Sequence, residues 1–441
     1  MKRFFKFTIP SILSMWVFAL YTMVDGYFVS NYVGEIEFSA VNISMPIITI
    51  FFAVGILFSI GTQATVGMNL GKGDINRANS IFSTAIISLI SIGIVFSGML
   101  FLLLNRVVLL LGVTETTIDF VKEYLRTIIP FGVFFMLSYQ LEVLVKVDGS
   151  PHISALSVGL AALTNICLDY LFIVVFKMGI FGAALATGIA QTVSTTAFLI
   201  HFFKKTGKLM FISKFDFSIL KTTIPLGIGD ALSEIALGFT VFLFNTNLLK
   251  VYGQEALIAY TVISYISVFI SVTMTGVAQG LAPLFSYDYG QRDFKRIKAF
   301  VKRGVLAILA ISAFFIVVAY LFSEPIVNLF LDEGSSILKD TTRALSRYAW
   351  AYPFVGLNGL MITFFASLGK GRMATILSLL RTPIAISIAM FIVRKWMPKF
   401  MIWYVLAFAE ALVFPVGLYF LIKYIVLPLR YRRKKSQGLK L

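Results

Sequence analysis

The chain has 441 residues, of which 59% are hydrophobic and only 13% are charged. A soluble protein of this length needs far more charge to cover its surface, so this composition excludes a soluble enzyme or a soluble binding protein. A single cysteine, Cys167, also excludes a scaffold held together by disulfide bonds.

Apolar runs of about twenty residues recur along the whole chain, and each is long enough to cross ~30 Å of hydrocarbon. Backbone polar groups in lipid must pair within their own segment, so these runs predict helices and not strands. The twelve predicted spans are 7–30, 43–69, 82–104, 128–147, 153–177, 179–203, 222–250, 256–283, 303–323, 345–369, 374–393 and 402–427. The sequence therefore predicts an all-α polytopic membrane protein without a folded soluble domain.

The distribution of positive charge predicts the topology. The net charge is +17, but Lys and Arg concentrate in the N-terminal tail, in the loops on the same side of the membrane, and in the C-terminal tail. This is the positive-inside bias, and it predicts a multi-pass protein of the plasma or inner membrane with both termini in the cytoplasm. We expect the basic residues at 430–435 to meet anionic headgroups, and we expect no nucleic-acid partner.

An internal repeat divides the chain into two halves. Thr8-Ile9-Pro10 opens the first span and Thr223-Ile224-Pro225 opens the seventh. Repeats separated by an even number of spans share one orientation, so a pseudo-two-fold axis runs along the membrane normal and a solute path is expected between the lobes. The predicted parts are an N-lobe at 1–205 (helices 1–6), a cytoplasmic linker at 206–221, a C-lobe at 222–430 (helices 7–12) and a basic cytoplasmic tail at 431–441.

A second repeated pattern follows the second helix of each half. Gly61, Gly71, Asp74 and Arg77 recur in the second half as Gly280, Gly290, Asp293 and Arg296. We interpret these as turn residues, in which the glycines permit a tight loop and the Asp and Arg residues cap helix ends. On this interpretation the two loops shape the fold and do not contact solute.

Ionisable residues inside the spans are candidates for a functional site, because burying charge in lipid is costly. The six acids in the predicted spans are Asp25, Glu142, Asp169, Asp230, Glu234 and Glu410. The basic residues at comparable depth are mainly Lys146 and Arg381, so most of the acids have no obvious fixed partner. Such carboxylates suit a carrier driven by protons or Na⁺.

Depth along the helices groups four of the polar residues. At ~1.5 Å per residue, Asp25, Asp169 and Thr187 lie at a similar depth in the outer half of the membrane. Asn165 precedes Asp169 by four residues and shares its helix face. Two carboxylates, an amide and a hydroxyl would suit Na⁺ or a proton, although Asn165 and Thr187 could instead only join helices by hydrogen bonds.

At these residues the chain resembles the multidrug and toxic compound extrusion (MATE) family over nearly its whole length. The motifs that carry the resemblance are Val24-Asp25-Gly26, Gly61-Thr62-Gln63, Asp148-Gly149-Ser150-Pro151, Asn165-x3-Asp169 and Gly179-x2-Gly182-Ala183-Ala184-x-Ala186-Thr187, with Gln191 beyond. The resemblance implies that Asp25, Asn165, Asp169 and Thr187 are the Na⁺ or H⁺ ligands of the N-lobe.

The second half resembles the family more loosely. Trp403-x6-Glu410 is similar to the Trp and Glu motif of the twelfth helix, but Met401 and Ala407 stand where the family has Gly and Pro. Some members carry a carboxylate pair on helices seven and ten, for which Glu234 would supply one member. Helix ten offers Asn358 and no acid, so that second cation site is left open.

Further residues are candidates for solute or proton binding. These are Asp230, Glu234 and Glu410, together with Tyr139 and Gln140, which interrupt an apolar run in the fourth span. The acids could equally be polar groups that pair between helices.

The resemblance implies a cation-coupled antiporter that exports cationic or amphipathic drugs by alternating access. We expect a monomer with no cofactor beyond the coupling ion. The alternative is a flippase for a lipid-linked oligosaccharide, whose cavity should contain several intramembrane Arg or Lys residues. An enzyme is not predicted, since His152 and His201 lie at helix ends and no phosphate-binding loop is present. The sequence leaves open the substrate, the choice between Na⁺ and H⁺, and the preferred access state.

Overall fold

The computed structural model describes residues 1–331 and 335–423, apart from the side chain of Leu237. Within these ranges the chain is helical and contains no strand. The predicted basic tail at 431–441 and the last residues of the predicted twelfth span lie outside the described residues.

Twelve helices of the described chain are long and apolar enough to cross a membrane, as the hydropathy pattern predicted. They are α1 (Lys2–Val33), α2 (Glu35–Lys72), α3 (Ile75–Leu102), α4 (Ile118–Val147), α5 (Pro151–Val175), α6 (Gly179–Phe203), α7 (Phe217–Tyr252), α8 (Gln254–Gly290), α9 (Phe294–Leu321), α10 (Leu338–Ser367), α11 (Gly371–Trp396) and α12 (Lys399–Leu421). We call the membrane face at which α1 begins the amino-terminal face. Every even-numbered helix ends at that face.

The buried apolar residues form two clusters, one in each half of the chain. The first cluster lies entirely within residues 29–219. The second lies within residues 231–413, apart from four residues of the first half. Four residues of the first half, Phe4, Phe7, Ile56 and Ile60, belong to the second cluster. The two lobes are therefore joined through α1 and α2, which pack against α7 and α8.

The contact between lobes is built from backbone atoms. A Cβ atom on Gly61 would overlap the carbonyl oxygen of Thr223, and one on Gly280 would overlap the backbone of Thr8. Gly61 and Gly280 are equivalent positions of the repeat, and so are Thr8 and Thr223, so exchanging the two halves converts one contact into the other. Two further pairs of contacts are related in the same way. The contact of Gly71 with Tyr287 corresponds to that of Gly290 with Met68, and the contact of Gly227 with Leu57 corresponds to that of Gly276 with Ile12. We call these contacts the glycine seam, and the pseudo-two-fold axis passes through it.

The seam corrects one half of the turn interpretation. Gly61 and Gly71 lie within α2, and Gly280 and Gly290 lie within α8, so none of the four forms a loop. Their role is close approach of helices, which small residues permit in membranes. The turn after α2 uses Gly73 instead, whose φ of 85° favours glycine.

The capping half of the same interpretation is confirmed. Asp74 accepts a hydrogen bond from the backbone N–H of Arg77 at 2.9 Å, and Asp293 accepts one from the backbone N–H of Arg296 at 3.0 Å. These bonds satisfy free N–H groups at the first turns of α3 and α9.

The linker between the lobes is fixed along α3. Backbone N–H groups of Met210, Ile212 and Asp216 donate to the side chains of Asn79, Ser83 and Thr84, respectively. Hydrogen bonds from Ser218, followed by Arg77, lower the pKa of the Asp216 carboxyl. The charged Asp216 carboxylate therefore stabilises the folded state at neutral pH, and this stabilisation is lost as the pH falls through the lowered pKa.

The lobes touch only toward the amino-terminal face. The contact furthest from that face along α1 and α8 is made by Trp16, whose indole N–H donates to Thr273 Oγ1 at 2.8 Å and whose ring stacks on Phe269. Beyond it, no hydrogen bond, ion pair or ring contact joins the two lobes among the residues described. The described polar and ring contacts between the lobes therefore all lie between the amino-terminal face and the level of Trp16.

Adding one methyl group in the seam should be costly. We expect Gly61→Ala to lower the stability of the detergent-solubilised protein by about 1–3 kcal/mol, because the new Cβ meets rigid backbone. Gly98→Ala is the matched control, since Gly98 is also helical and has no atom within 4 Å of its Cβ position. Thermal unfolding of both variants checks this, and equal stability of the two would contradict it.

Candidate cation site

The structure brings the four predicted coupling residues together in the N-lobe. Asp25 of α1 lies beside the side chains of Asp169, Thr187 and Asn165. The Asn165 side-chain amide donates to Thr187 Oγ1 at 3.4 Å. Three helices, α1, α5 and α6, therefore each contribute to one polar cluster inside an apolar lobe.

The cluster is short of hydrogen-bond donors. Asp25 Oδ1, Asn165 Oδ1 and both carboxylate oxygens of Asp169 are buried and have no hydrogen-bond partner. Asn165 and Asp169 are completely inaccessible to solvent. Two adjacent carboxylates and an unpaired amide oxygen are costly to bury without compensation. A proton would convert one carboxyl into a donor, and Na⁺ would accept all of these hard oxygen ligands.

The cluster contains two carboxylates, and no group of three or more His, Cys, Asp or Glu side chains placed to hold a metal occurs in residues 1–331 and 335–423. One bound monovalent charge leaves one negative charge in the cluster. The assignment of Asp25, Asn165, Asp169 and Thr187 as Na⁺ or H⁺ ligands stays a prediction.

Both aspartates are followed by irregular helix. A π-helical segment, Tyr170–Val175, begins directly after Asp169, and another, Val29–Val33, follows Asp25 by one turn. π-Helical turns interrupt the regular hydrogen-bond ladder and occur often at functional sites. No residue pattern in the sequence indicated them. They place two deformable turns next to the candidate ligands.

A hydrogen-bonded chain extends the cluster toward α4. The Gln191 side chain donates to the Tyr21 hydroxyl at 3.3 Å, and Ser138 donates to Gln191 Oε1 at 2.7 Å. Tyr21 precedes Asp25 by one helical turn and shares its face. The sequence interpretation included Gln191 through its motif but did not identify Tyr21 or Ser138.

A second group of acids lies between the lobes. Glu142 of α4 and, in the other lobe, Asp230 and Glu234 of α7 are the acids in the electrostatic surroundings of Tyr139 of α4. Asp230 Oδ2 is buried without a hydrogen-bond partner. Gln140, by contrast, is completely buried, and neither of its amide atoms is hydrogen-bonded. Tyr139, Asp230 and Glu234 therefore lie near one another at the boundary between the lobes, and the solute-binding role of Gln140 stays a prediction.

Glu410 differs from the other candidate acids because it has fixed partners. The Arg381 guanidinium donates to Glu410 Oε1 at 2.6 Å, and the Asn358 amide donates to Oε2 at 2.7 Å. Three C-lobe helices, α10, α11 and α12, meet at this network. Arg381 lies within a third π-helical segment, Leu380–Ala385. The C-lobe network thus contains a fixed cation, the Arg381 guanidinium, whereas the N-lobe cluster has none. This arrangement favours the interpretation of Glu410 as a polar group that pairs between helices.

Removing one member of this ion pair should be far worse than removing both. We expect Arg381→Met to destabilise the protein by about 3–5 kcal/mol, since it leaves the Glu410 charge buried and unpaired. The double variant Arg381→Met, Glu410→Gln should recover most of that loss. A double-mutant cycle by thermal unfolding measures the effect, and strictly additive losses would contradict the pairing.

Comparison with known proteins places the chain among membrane transporters. The family model MatE matches residues 10–171 and, a second time, residues 231–391. Multidrug export protein MepA of Staphylococcus saprophyticus subsp. saprophyticus is 25% identical over 397 residues, which cover 88% of this chain and 86% of that protein. MepA of Staphylococcus aureus (strain bovine RF122 / ET3-1) is 24% identical over 396 residues, with the same coverage of 88% and 86%.

Solved structures show the same fold. An outward-facing multidrug resistance MATE family transporter of the MOP superfamily superposes with a TM-score of 0.89 at 20% identity, covering 94% of each chain. A MOP superfamily transporter from Pyrococcus furiosus gives a TM-score of 0.88 at 19% identity, again over 94% of each chain. That protein is described as having a binding pocket of reversed polarity that suggests a different function. Because the family model covers well over half of its length, this chain belongs to the MatE family of multidrug and toxic compound extrusion transporters, which are membrane transporters and not enzymes.

Proposed function

We propose that this transporter is an antiporter that couples entry of Na⁺ or H⁺ to export of cationic or amphipathic organic compounds. One observation carries the proposal: the buried oxygens of Asp25, Asn165 and Asp169 converge without hydrogen-bond donors. A site of this kind responds to a mobile cation, because no fixed charge compensates it. The names of the related MepA proteins, multidrug export proteins, support the direction and class of transport.

The sidedness follows from the charge distribution. With both termini in the cytoplasm of the cell, the amino-terminal face is cytoplasmic. Because the described interlobe contacts lie toward that face, the lobes would border a cleft that opens outward. External cations would then reach the N-lobe cluster while the glycine seam closes the cytoplasmic side. Inward access requires the lobes to separate at the seam, which is alternating access by movement of one lobe against the other.

α1 connects the cation site to the other lobe. It carries Asp25 at one level and packs on Gly276 and Gly280 of α8 nearer the amino-terminal face. Binding of a cation would draw the Asp25 and Asp169 carboxylates together, and their separation without a cation would push α1 away from α5. Cation binding and the arrangement of the lobes therefore both influence the position of α1, as coupling requires.

The floor of the cleft suits a solute with positive charge. Asp230 and Glu234 supply negative charge there, while Trp16, Phe269 and Tyr139 supply aromatic surface near the lobe boundary. Aromatic rings and carboxylates together favour organic cations and tolerate varied shapes. The small-molecule solute is the expected partner, and the transporter would work as a monomer in the cell membrane.

The flippase alternative has less support. A pyrophosphate-linked carrier needs free positive charge in the cavity, but the two basic residues predicted deep in the membrane are already paired. Lys146 Nζ lies 2.8 Å from Glu142 Oε1, and Arg381 Nε lies 2.6 Å from Glu410 Oε1. The cleft floor therefore presents uncompensated acids, which favour a cationic solute.

Neutralising the N-lobe aspartates should abolish gradient-driven export. In proteoliposomes with separately imposed Na⁺ and pH gradients, we expect Asp25→Asn and Asp169→Asn each to reduce transport of a cationic dye by roughly tenfold or more. The gradient that drives the unmodified protein identifies the coupling ion. Unchanged transport by both variants under both gradients would refute the site. Scrambling of a polyprenyl-linked sugar without dye transport would support the flippase.

The acids of the cleft floor should select for charge. We expect Asp230→Asn and Glu234→Gln to raise KM for a cationic dye by about tenfold, since a buried charge-assisted contact is lost. KM for a neutral amphipathic dye should change little. Glu255→Gln serves as the control, because Glu255 is an exposed acid in the first turn of α8, at the membrane face opposite the amino-terminal face. An equal change for both dyes would show that these acids do not contact the solute charge.

A further inference from the structure

A buried ion pair in α4 has no part in the proposed cation or solute site. Lys146 and Glu142 are separated by one helical turn, with Nζ 2.8 Å from Oε1, and their side chains are 2% and 9% exposed. A buried ion pair adds little net stability over apolar residues, and ionisable groups in the membrane are functional candidates by default. The contacts of this pair with its surroundings indicate what it does.

The pair bonds to the opposite lobe through one glutamine. Lys146 Nζ donates to Gln279 Oε1 of α8 at 3.4 Å, and Gln279 Nε2 donates to the Tyr139 hydroxyl at 3.3 Å. A single side chain of the C-lobe is therefore held by two side chains of α4 in the N-lobe. Gln279 directly precedes Gly280, one of the glycines of the glycine seam.

The same network extends to the helices that carry the cation site. Ser154 of α5 donates to Glu142 Oε1 at 3.0 Å, and its hydroxyl lies 3.1 Å from that of Ser14 in α1. Both serines are completely buried. α1 and α5, which hold Asp25 and Asp169, thus meet the Glu142–Lys146 pair nearer the amino-terminal face.

We propose that Gln279, Lys146 and Tyr139 form a latch that holds the lobes together at the amino-terminal face, and that Lys146 and Gln279 are positioning residues for the transport cycle. This inference rests on the proposed alternating movement of the lobes. Both interlobe bonds are long, so the latch is weak enough to open in each cycle. When it opens, Lys146 keeps its partner Glu142, so no charge is left unpaired. Gln279 then exchanges its two protein partners for water.

The latch can be tested by measuring lobe separation without any solute or gradient. Spin labels at Asn76→Cys and Lys295→Cys, on a Cys167→Ser background, place exposed probes at the starts of α3 and α9 on the amino-terminal face. Distances between the labels in lipid nanodiscs give the ratio of open to closed molecules. We expect Gln279→Leu to raise that ratio about fivefold, because two interlobe hydrogen bonds are lost.

Matched variants separate a latch from general stabilisation. Gln254→Leu makes the same change at an exposed position of the same helix and should leave the ratio unchanged. The double variant Glu142→Gln, Lys146→Met removes the latch lysine without leaving a buried charge. It should raise the ratio less than Gln279→Leu does, because the bond from Gln279 to Tyr139 remains. A lowered melting temperature with an unchanged distance ratio in both latch variants would overturn the proposal.

The outcome is independent of ion coupling. If Asp25→Asn and Asp169→Asn leave transport intact, the proposed cation site fails, but the distance ratio still reports on the latch. If the ratio is unchanged while those aspartate variants abolish transport, the latch fails and the cation site stands.

Discussion

The two lobes meet through their backbones, and the rest of the molecule is arranged around that contact. Where Gly61 lies against Thr223 and Gly280 against Thr8, no side chain separates the helices. Close backbone contact gives a seal with little freedom, because a packed interface has few alternative arrangements. The side chains of α1, α2, α7 and α8 further from the amino-terminal face are then free to border a cleft.

Charge inside the membrane is handled in three different ways. Glu410 is neutralised by Arg381 within one lobe, and Glu142 is neutralised by Lys146 within one helix. Asp25 and Asp169 have no fixed cation among their described neighbours. A permanently neutralised carboxylate is insensitive to the ions around the protein, whereas an uncompensated pair is sensitive to them. The distribution of Lys and Arg thus decides which acids can exchange ions and which only hold helices together.

Much of the fold could be predicted because lipid imposes strict rules on sequence. Long apolar runs predicted the twelve helices, and the position of Asn165 four residues before Asp169 placed both on one face. The role of Gly61 could not be predicted, since the sequence does not specify which helix packs against a glycine. The bond between Arg381 and Glu410 depends on the rotation of two helices, which hydropathy does not specify. The π-helical turns beside the aspartates have no residue signature.

The glycine seam is asymmetric in side-chain size at one level. At one level of the seam, Ile12 lies against Gly276, and at the equivalent level Leu57 lies against Gly227. A homodimer of the first half alone would set Leu57 against Ile12, with no room for either side chain. A homodimer of the second half would set Gly276 against Gly227. At this level the first half therefore supplies the large residues and the second half supplies the glycines, so the two halves are complementary and not interchangeable.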